Sequence, residues 1–268
     1  MSRRPRPDRP GSRHWRGNKK PAGPGRGVPR ADTDRVILFG LHAVEAALSN
    51  PKREVVKLIA TENAAQRLAP LIAKRRVTVE PASPRDLDRL LGPDFVHQGV
   101  ALEAEQFAPV SLDEVDPNGI LVVLDQVTDP HNVGAVLRSA AAFGASGLML
   151  TERHSPPLSG ALAKVASGAL DLVPIVLGKN LAQALADLGE RSVLRVGLAE
   201  EGADALEALP LTKPLALVLG AEGKGLRQLT REHCDVLARI STKSALASLN
   251  VSNTAAIALH WASLNAKG

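Results

Sequence analysis

From residue 120 onward, unbroken apolar runs alternate with segments of helical spacing, and that alternation leaves the chain few architectures to adopt. The runs are ILVVLDQV (120–127), GLMLTE (147–152), VPIVL (173–177), SVLRVGLA (192–199) and PLALVLG (214–220). Continuous hydrophobicity, rather than alternation, is what strands show when both faces of a parallel sheet are covered. Helices fit 132–143, 159–169, 180–190, 225–234 and 252–265. The order predicts an α/β fold whose polar residues meet in a crevice at the carboxyl ends of the strands.

Upstream, residues 35–107 read as a smaller α/β unit. A helix fits 40–50, strands fit 55–61, 77–81 and 99–107, and helices fit 64–75 and 84–92. Residues 108–119, with Pro109, Pro117 and Gly119, suit a linker. The division expected is therefore a tail (1–34), a small unit (35–107), a linker (108–119) and a parallel-sheet unit (120–268). The tail is rich in Pro, Gly and Arg and lacks apolar periodicity, so it is expected to be disordered. It has no apolar core of a secretory signal, and its prolines oppose an amphipathic transit helix.

The net charge of +5 is unevenly spread. Residues 1–30 hold ten Lys or Arg against one Asp, which leaves −4 on the remaining 238 residues. Such asymmetry points to a polyanion such as nucleic acid. The tail fits either a solubilising segment or an electrostatic tether to RNA phosphates, with His14 and Trp15 able to stack on bases. No window nears 18 unbroken apolar residues, which excludes a membrane-spanning helix at this level. The lone Cys234 forms no internal disulfide or Cys-x-x-Cys site, in keeping with a cytoplasmic protein. The seven histidines show no paired metal-ligand spacing, so no metal is expected.

Three later segments carry the chemistry. In DQVTDPHNVGAVLR (125–138), Pro130 suits a first helical position and Asp129 a cap. Asn132 and Arg138 follow, and Arg138 offers a fork of donors to a phosphate or a developing oxyanion. An ion-paired helix arginine and a capping asparagine would explain the same residues. In LALVLGAEGKGL (215–226), a strand ends at Gly220 and three glycines occur in six residues, which permits positive φ and close backbone approach to a ligand. The spacing is neither a P-loop nor a dinucleotide fingerprint. Glu222 suits contact with a ribose, with Arg138, or with neighbouring amides in its own turn. In ASLNVSNTAAIALH (247–260), Ser248 and Asn250 sit where the chain could close over a ligand, while Ser252 and Asn253 are ordinary helix caps.

This ordered triplet resembles the three signature motifs of the SpoU/TrmH family of RNA ribose 2′-O-methyltransferases, in the SPOUT superfamily. The likeness covers about 120–265. FGLHAVEAAL (39–48) and HQGVALEA (97–104) also resemble the small ribosomal-protein-like, RNA-binding domain that precedes many such enzymes. The resemblance implies an S-adenosyl-L-methionine-dependent enzyme with a knotted (trefoil) parallel-sheet domain and an obligate homodimer. Its implied substrate is a guanosine ribose in the peptidyl-transferase region of 23S rRNA, as free rRNA or a large-subunit assembly intermediate. Position by position it implies catalytic roles for Asn132, Arg138, Glu222, Ser248 and Asn250, and cofactor contacts from Gly220, Ile240 and Leu249.

One departure stands out: the family's usual Ile-Pro-Met-x-Gly is Ile240-Ser241-Thr242-Lys243-Ser244 here. The implied reaction is an in-line methyl transfer governed by positioning. A guanidinium is a poor base, so Arg138 is expected to stabilise the developing oxyanion, with Asn132 and Glu222 orienting Arg138 and the ribose. The competing readings are a tRNA guanosine methyltransferase and a non-catalytic RNA-binding ribosome-assembly factor.

Overall fold

The computed structural model describes residues 35–158, 160–166, 168–243 and 249–268; the basic tail and Ser248 lie outside the described residues. The first unit runs β1 (Arg35–Phe39), α1 (Leu41–Ser49), β2 (Val55–Ala60), α2 (Glu62–Arg67), α3 (Ala69–Arg75), β3 (Val79–Pro81), α4 (Pro84–Leu91) and β4 (Val100–Glu105). Its sheet has the order β1-β4-β2-β3, with β4 antiparallel to both neighbours. Two features differ from expectation. The five-residue β1 is an additional strand, tied to β4 by Arg35 reaching Glu103 at 3.0 Å and Glu105 at 3.1 Å. The helix expected over 64–75 is two, broken at Leu68, because Pro70 has no N–H to continue the ladder and sits instead in the first turn of α3.

The second unit runs β5 (Ile120–Asp125), α5 (Pro130–Ala142), β6 (Gly147–Thr151), α6 (Gly160–Ala166), β7 (Ile175–Gly178), α7 (Leu181–Glu190), β8 (Leu194–Leu198), β9 (Asp204–Ala205), β10 (Leu215–Gly220), α8 (Gln228–Glu232), β11 (Val236–Arg239) and α9 (Val251–Asn265). The seven strands pair in parallel in the order β7-β6-β5-β10-β8-β11-β9. The central run explains itself. Ile120, Val122 and Leu124 pack in one core with α5 and α9, while Leu121 and Val123 face a second core with α7. Both sides of β5 are covered, so every residue of it is apolar until Asp125.

The chain leaves β5 toward β6 and β7, then crosses back to β8 on the far side of β10. The order therefore reverses beside β5 and β10, where a doubly wound sheet opens a crevice. α8 is shorter than expected because Gly225 and Arg227 are spent on the turn. The Arg227 backbone N–H and Nε donate to the buried Asp125 carboxylate at 3.0 and 2.7 Å. That pair staples the segment after β10 to the end of β5. Among the described residues, no helix is long and apolar enough to cross a membrane.

Candidate active site

Three loops converge at the carboxyl ends of β5 and β10. Asp129 caps α5 by accepting the His131 N–H at 2.9 Å, and Pro130 occupies the first turn, so Asn132 leaves the helix at its open end. Gly220 ends β10 opposite Asp125. The chain then folds back on itself, with Gly225 N–H donating to the Ala221 carbonyl at 2.8 Å. Gly223 and Gly225 hold φ of +74° and +62° there, the left-handed region that favours glycine. The fold-back lifts Glu222 toward α5.

Asn250, not Ser252 or Asn253, is the cap of α9. Its Oδ1 accepts the Ser252 N–H at 2.8 Å and the Ser252 hydroxyl at 2.5 Å. A backbone N–H can only donate, so this contact fixes which end of the amide points outward. Asn250 Nδ2 consequently donates to Asn132 Oδ1 at 3.1 Å and to Glu222 Oε1. Asn132, its oxygen occupied, donates through Nδ2 to Glu222 Oε1 at 3.0 Å. Residues from all three motifs thus form one network of fixed polarity, in which Glu222 carries the only charge.

Beside it lies a cleft of about 610 Å³, within the usual size range for a small ligand. Gly220, Ile240 and Leu249 all line it, as does Glu222. Thr242, in the loop that departs from the family pattern, lines it too; the end of β8 and its loop (Leu198–Glu201), together with Arg231, were not anticipated. The signal lay in LAEEG (198–202), an acidic break directly after a predicted strand. Arg231 bonds Glu201 and holds its carboxyl below the ordinary range. Residues 219–226 and 238–242 supply most of the remaining wall. The charged residues of the lining are balanced, Glu200, Glu201 and Glu222 against Lys224, Arg231 and Arg239.

Arg138 stands apart. It is exposed on α5, and no described residue pairs with it. Glu222 spends its bonds on the two asparagines, so the expected contact between Glu222 and Arg138 is replaced by the asparagine network. Gly134 serves helix packing: a Cβ there would meet Val165 Cγ1 at 2.7 Å and the Ala166 N at 3.1 Å on α6. Ser241, in place of the family's proline, donates its N–H and hydroxyl to Glu207 at 3.4 and 3.1 Å. Among the described residues, no three His, Cys, Asp or Glu side chains group to hold a metal ion.

Comparison with known proteins agrees with this arrangement. Residues 119–260 match the family described as "SpoU rRNA Methylase family", and residues 37–110 match "RNA 2'-O ribose methyltransferase substrate binding". The chain is 39% identical over 233 residues to the 23S rRNA (guanosine-2'-O-)-methyltransferase RlmB of Pseudomonas syringae pv. tomato, covering 83% of this chain and 92% of that protein. It is 41% identical over 234 residues to the RlmB of Yersinia pestis, covering 83% and 94%. Among solved structures, the fold is that of the SpoU methyltransferase AviRb from Streptomyces viridochromogenes in complex with AdoMet, with a TM-score of 0.73 over 86% of this chain and 90% of that one, at 23% identity. The carboxyl-end crevice, the three converging motifs and these likenesses agree: the chain belongs to the SpoU rRNA methylase family.

Proposed function

We propose that this protein is an RNA 2′-O-methyltransferase that uses S-adenosyl-L-methionine to methylate a guanosine ribose of 23S rRNA, in the peptidyl-transferase region. The observation that carries the reading is the Asn132–Glu222–Asn250 network at the edge of the cleft. The relatives named above support the substrate, since they are 23S rRNA guanosine methyltransferases over nearly their whole length. The cleft fits the cofactor: its volume suits a nucleoside with a side arm, and Glu200 and Glu222 line it beside the Glu201–Arg231 pair.

In this reading Gly220, Ile240 and Leu249 hold S-adenosyl-L-methionine, largely through main chain. That molecule, when bound, supplies a methyl group on a positively charged sulfur. Glu222 and Asn132 orient the ribose, and Asn250 keeps both side chains in place. As the methyl carbon–sulfur bond breaks and the bond to the 2′-oxygen forms, that oxygen gives up its proton to phosphate or water. Arg138 stabilises the negative charge developing on the oxygen and the adjacent phosphate. Ser248 is assigned to the same loop closure as Asn250. The small amino-terminal unit binds the RNA, and the basic tail adds phosphate contacts.

The same reading makes the protein a cytoplasmic homodimer with a trefoil knot around the cofactor. Arg138, exposed and without a described partner, suits a site completed by a second copy. On α9, Ile257 at 42% and Leu264 at 70% exposure are two large apolar side chains open to such a partner.

The test is methyl transfer to a 23S rRNA fragment and to the same fragment carrying 2′-deoxyguanosine at the modified position. Loss of transfer with the deoxy substrate is expected. Undiminished transfer would place the methyl elsewhere and overturn the 2′-O assignment. Transfer to tRNA alone would keep the chemistry and replace the substrate.

A further inference from the structure

The two sheet-containing units share a continuous buried joint rather than a loose tether. Ala163 of α6 belongs to the buried cluster built on Val44, Leu48, Leu58 and Leu102 of the first unit. Gly168, at φ +90°, lies against α1: a Cβ there would meet Ala46 Cβ at 2.8 Å and the His42 carbonyl oxygen at 3.1 Å.

A charged pair closes this joint. Arg53 Nε and Nη2 donate to the two carboxylate oxygens of Asp171 at 2.8 and 2.9 Å. The third nitrogen, Nη1, donates to the Glu105 carbonyl at 2.9 Å. The guanidinium carbon lies 3.8 Å from the centroid of the Phe107 ring. Asn50 Nδ2 adds a bond to the Asp171 backbone carbonyl at 2.9 Å. The two side chains are only 2% and 1% exposed. A buried ion pair of this kind contributes little net stability over an apolar replacement, and its best-attested use is to specify register. Its planar, two-pronged geometry fixes angle as well as distance.

What it registers follows from the chain. Asp171 ends the short turn Ala169–Asp171 that follows α6, and α6 packs on α5 at the Gly134 contact. α5 carries Asn132 and Arg138. Arg53 enters from the first unit, two residues before β2. One rigid path therefore joins the amino-terminal unit to the helix that presents the site.

We propose that Arg53 and Asp171 are positioning residues that set the register between the RNA-binding unit and the methyl-transfer site, and so decide which ribose reaches Glu222. The proposal rests on the RNA-methyltransferase reading above. It is tested with Arg53→Ala, Asp171→Asn and the double variant in the full chain. The readouts are KM for RNA, affinity for S-adenosyl-L-methionine, the set of methylated riboses, and hydrogen exchange.

The expected result is KM for RNA raised about tenfold or more, with methylation spreading to neighbouring riboses. Cofactor affinity should stay within about twofold, and the double variant should be no worse than either single one. Exchange should quicken at α1 and residues 168–172 while β5 and β10 keep their protection. A single methylated ribose at unchanged KM would overturn the proposal. So would loss of cofactor affinity together with β5 and β10 protection, which marks a merely structural role. If the wild-type protein methylates no RNA, the functional reading fails instead. The exchange pattern and RNA affinity then still show whether the pair governs the joint.

Discussion

Replacing Gly220 by alanine should damage the cofactor cleft while leaving the sheet intact. A Cβ at this position would lie 2.1 Å from the Gly225 carbonyl carbon, 2.2 Å from its oxygen and 2.3 Å from the Leu226 nitrogen. All three are backbone atoms, so no change of rotamer relieves the overlap. Reaching ordinary contact at 3.4 Å demands a shift of about 1.3 Å in a region packed like a crystal. The strand will not supply it, because Gly220 is paired with Asp125 of β5 and the five residues before it with both β5 and β8. The 221–225 turn has to move. Overpacking of this kind costs roughly 1–3 kcal/mol. Functionally it costs more: the turn carries Glu222, whose bond to Asn132 is already 3.0 Å, and it forms one wall of the cleft. A misplacement of ~1 Å lowers a positioned reaction by about 100-fold. G220A is therefore expected to lose about 100-fold in methyl transfer and about tenfold in cofactor affinity by calorimetric titration, while melting as one cooperative unit. Gly144→Ala is the control. Its φ is +66°, so alanine there strains the backbone, but a Cβ meets nothing within 4 Å and the residue lies outside the cleft. Cofactor affinity within about twofold of wild type in G220A would refute the reasoning.

Other outcomes follow from the same geometry. Arg138→Ala should abolish turnover and leave cofactor binding unchanged; near-wild-type turnover would remove Arg138 from the mechanism. Asn250→Ala should destabilise α9 by about 1 kcal/mol through the lost cap and lower turnover further, since Asn132 and Glu222 lose their anchor. A loss of stability with full activity would reduce Asn250 to a cap. Deleting residues 1–30 should weaken RNA binding and flatten the slope of log affinity against log salt, and an unchanged slope would return the tail to a solubilising role. Burial pushes the Cys234 thiol up to about 12, from an ordinary value of 9.0. The unfolded chain thus releases this proton first, and the associated stability is complete below about pH 9 and lost as pH rises toward 12. Denaturant midpoints measured from pH 8 to pH 11 should fall more steeply for the wild type than for Cys234→Ala.

The parallel sheet was legible because its strands are buried on both faces and declare themselves as unbroken apolar runs. What escaped notice carried weaker signals. β1 is a five-residue edge strand running straight into Gly40, and β9 is two residues long. The break at Leu68 was written in Pro70, and the helical spacing on either side of it concealed the stop. Asn132, Glu222 and Asn250 stood out in the sequence through the three ordered motifs, and the structure brings these side chains together. Their mutual bonds were not legible: Asn250 reaches Asn132 across 118 residues of sequence, and only the fold-back of the 221–225 turn makes Glu222 their common acceptor. The β8 wall of the cleft was missed for a related reason, since nothing local shows that β8 lies next to β10.

Mapping ribose methylation at nucleotide resolution, on unmodified 23S rRNA incubated with the purified protein and labelled S-adenosyl-L-methionine, bears most directly on the central claim. One 2′-O-methylated guanosine is expected, in the peptidyl-transferase region, absent when Arg138→Ala replaces the wild type. Label on a base, or no label on free rRNA or on large-subunit assembly particles, would contradict it.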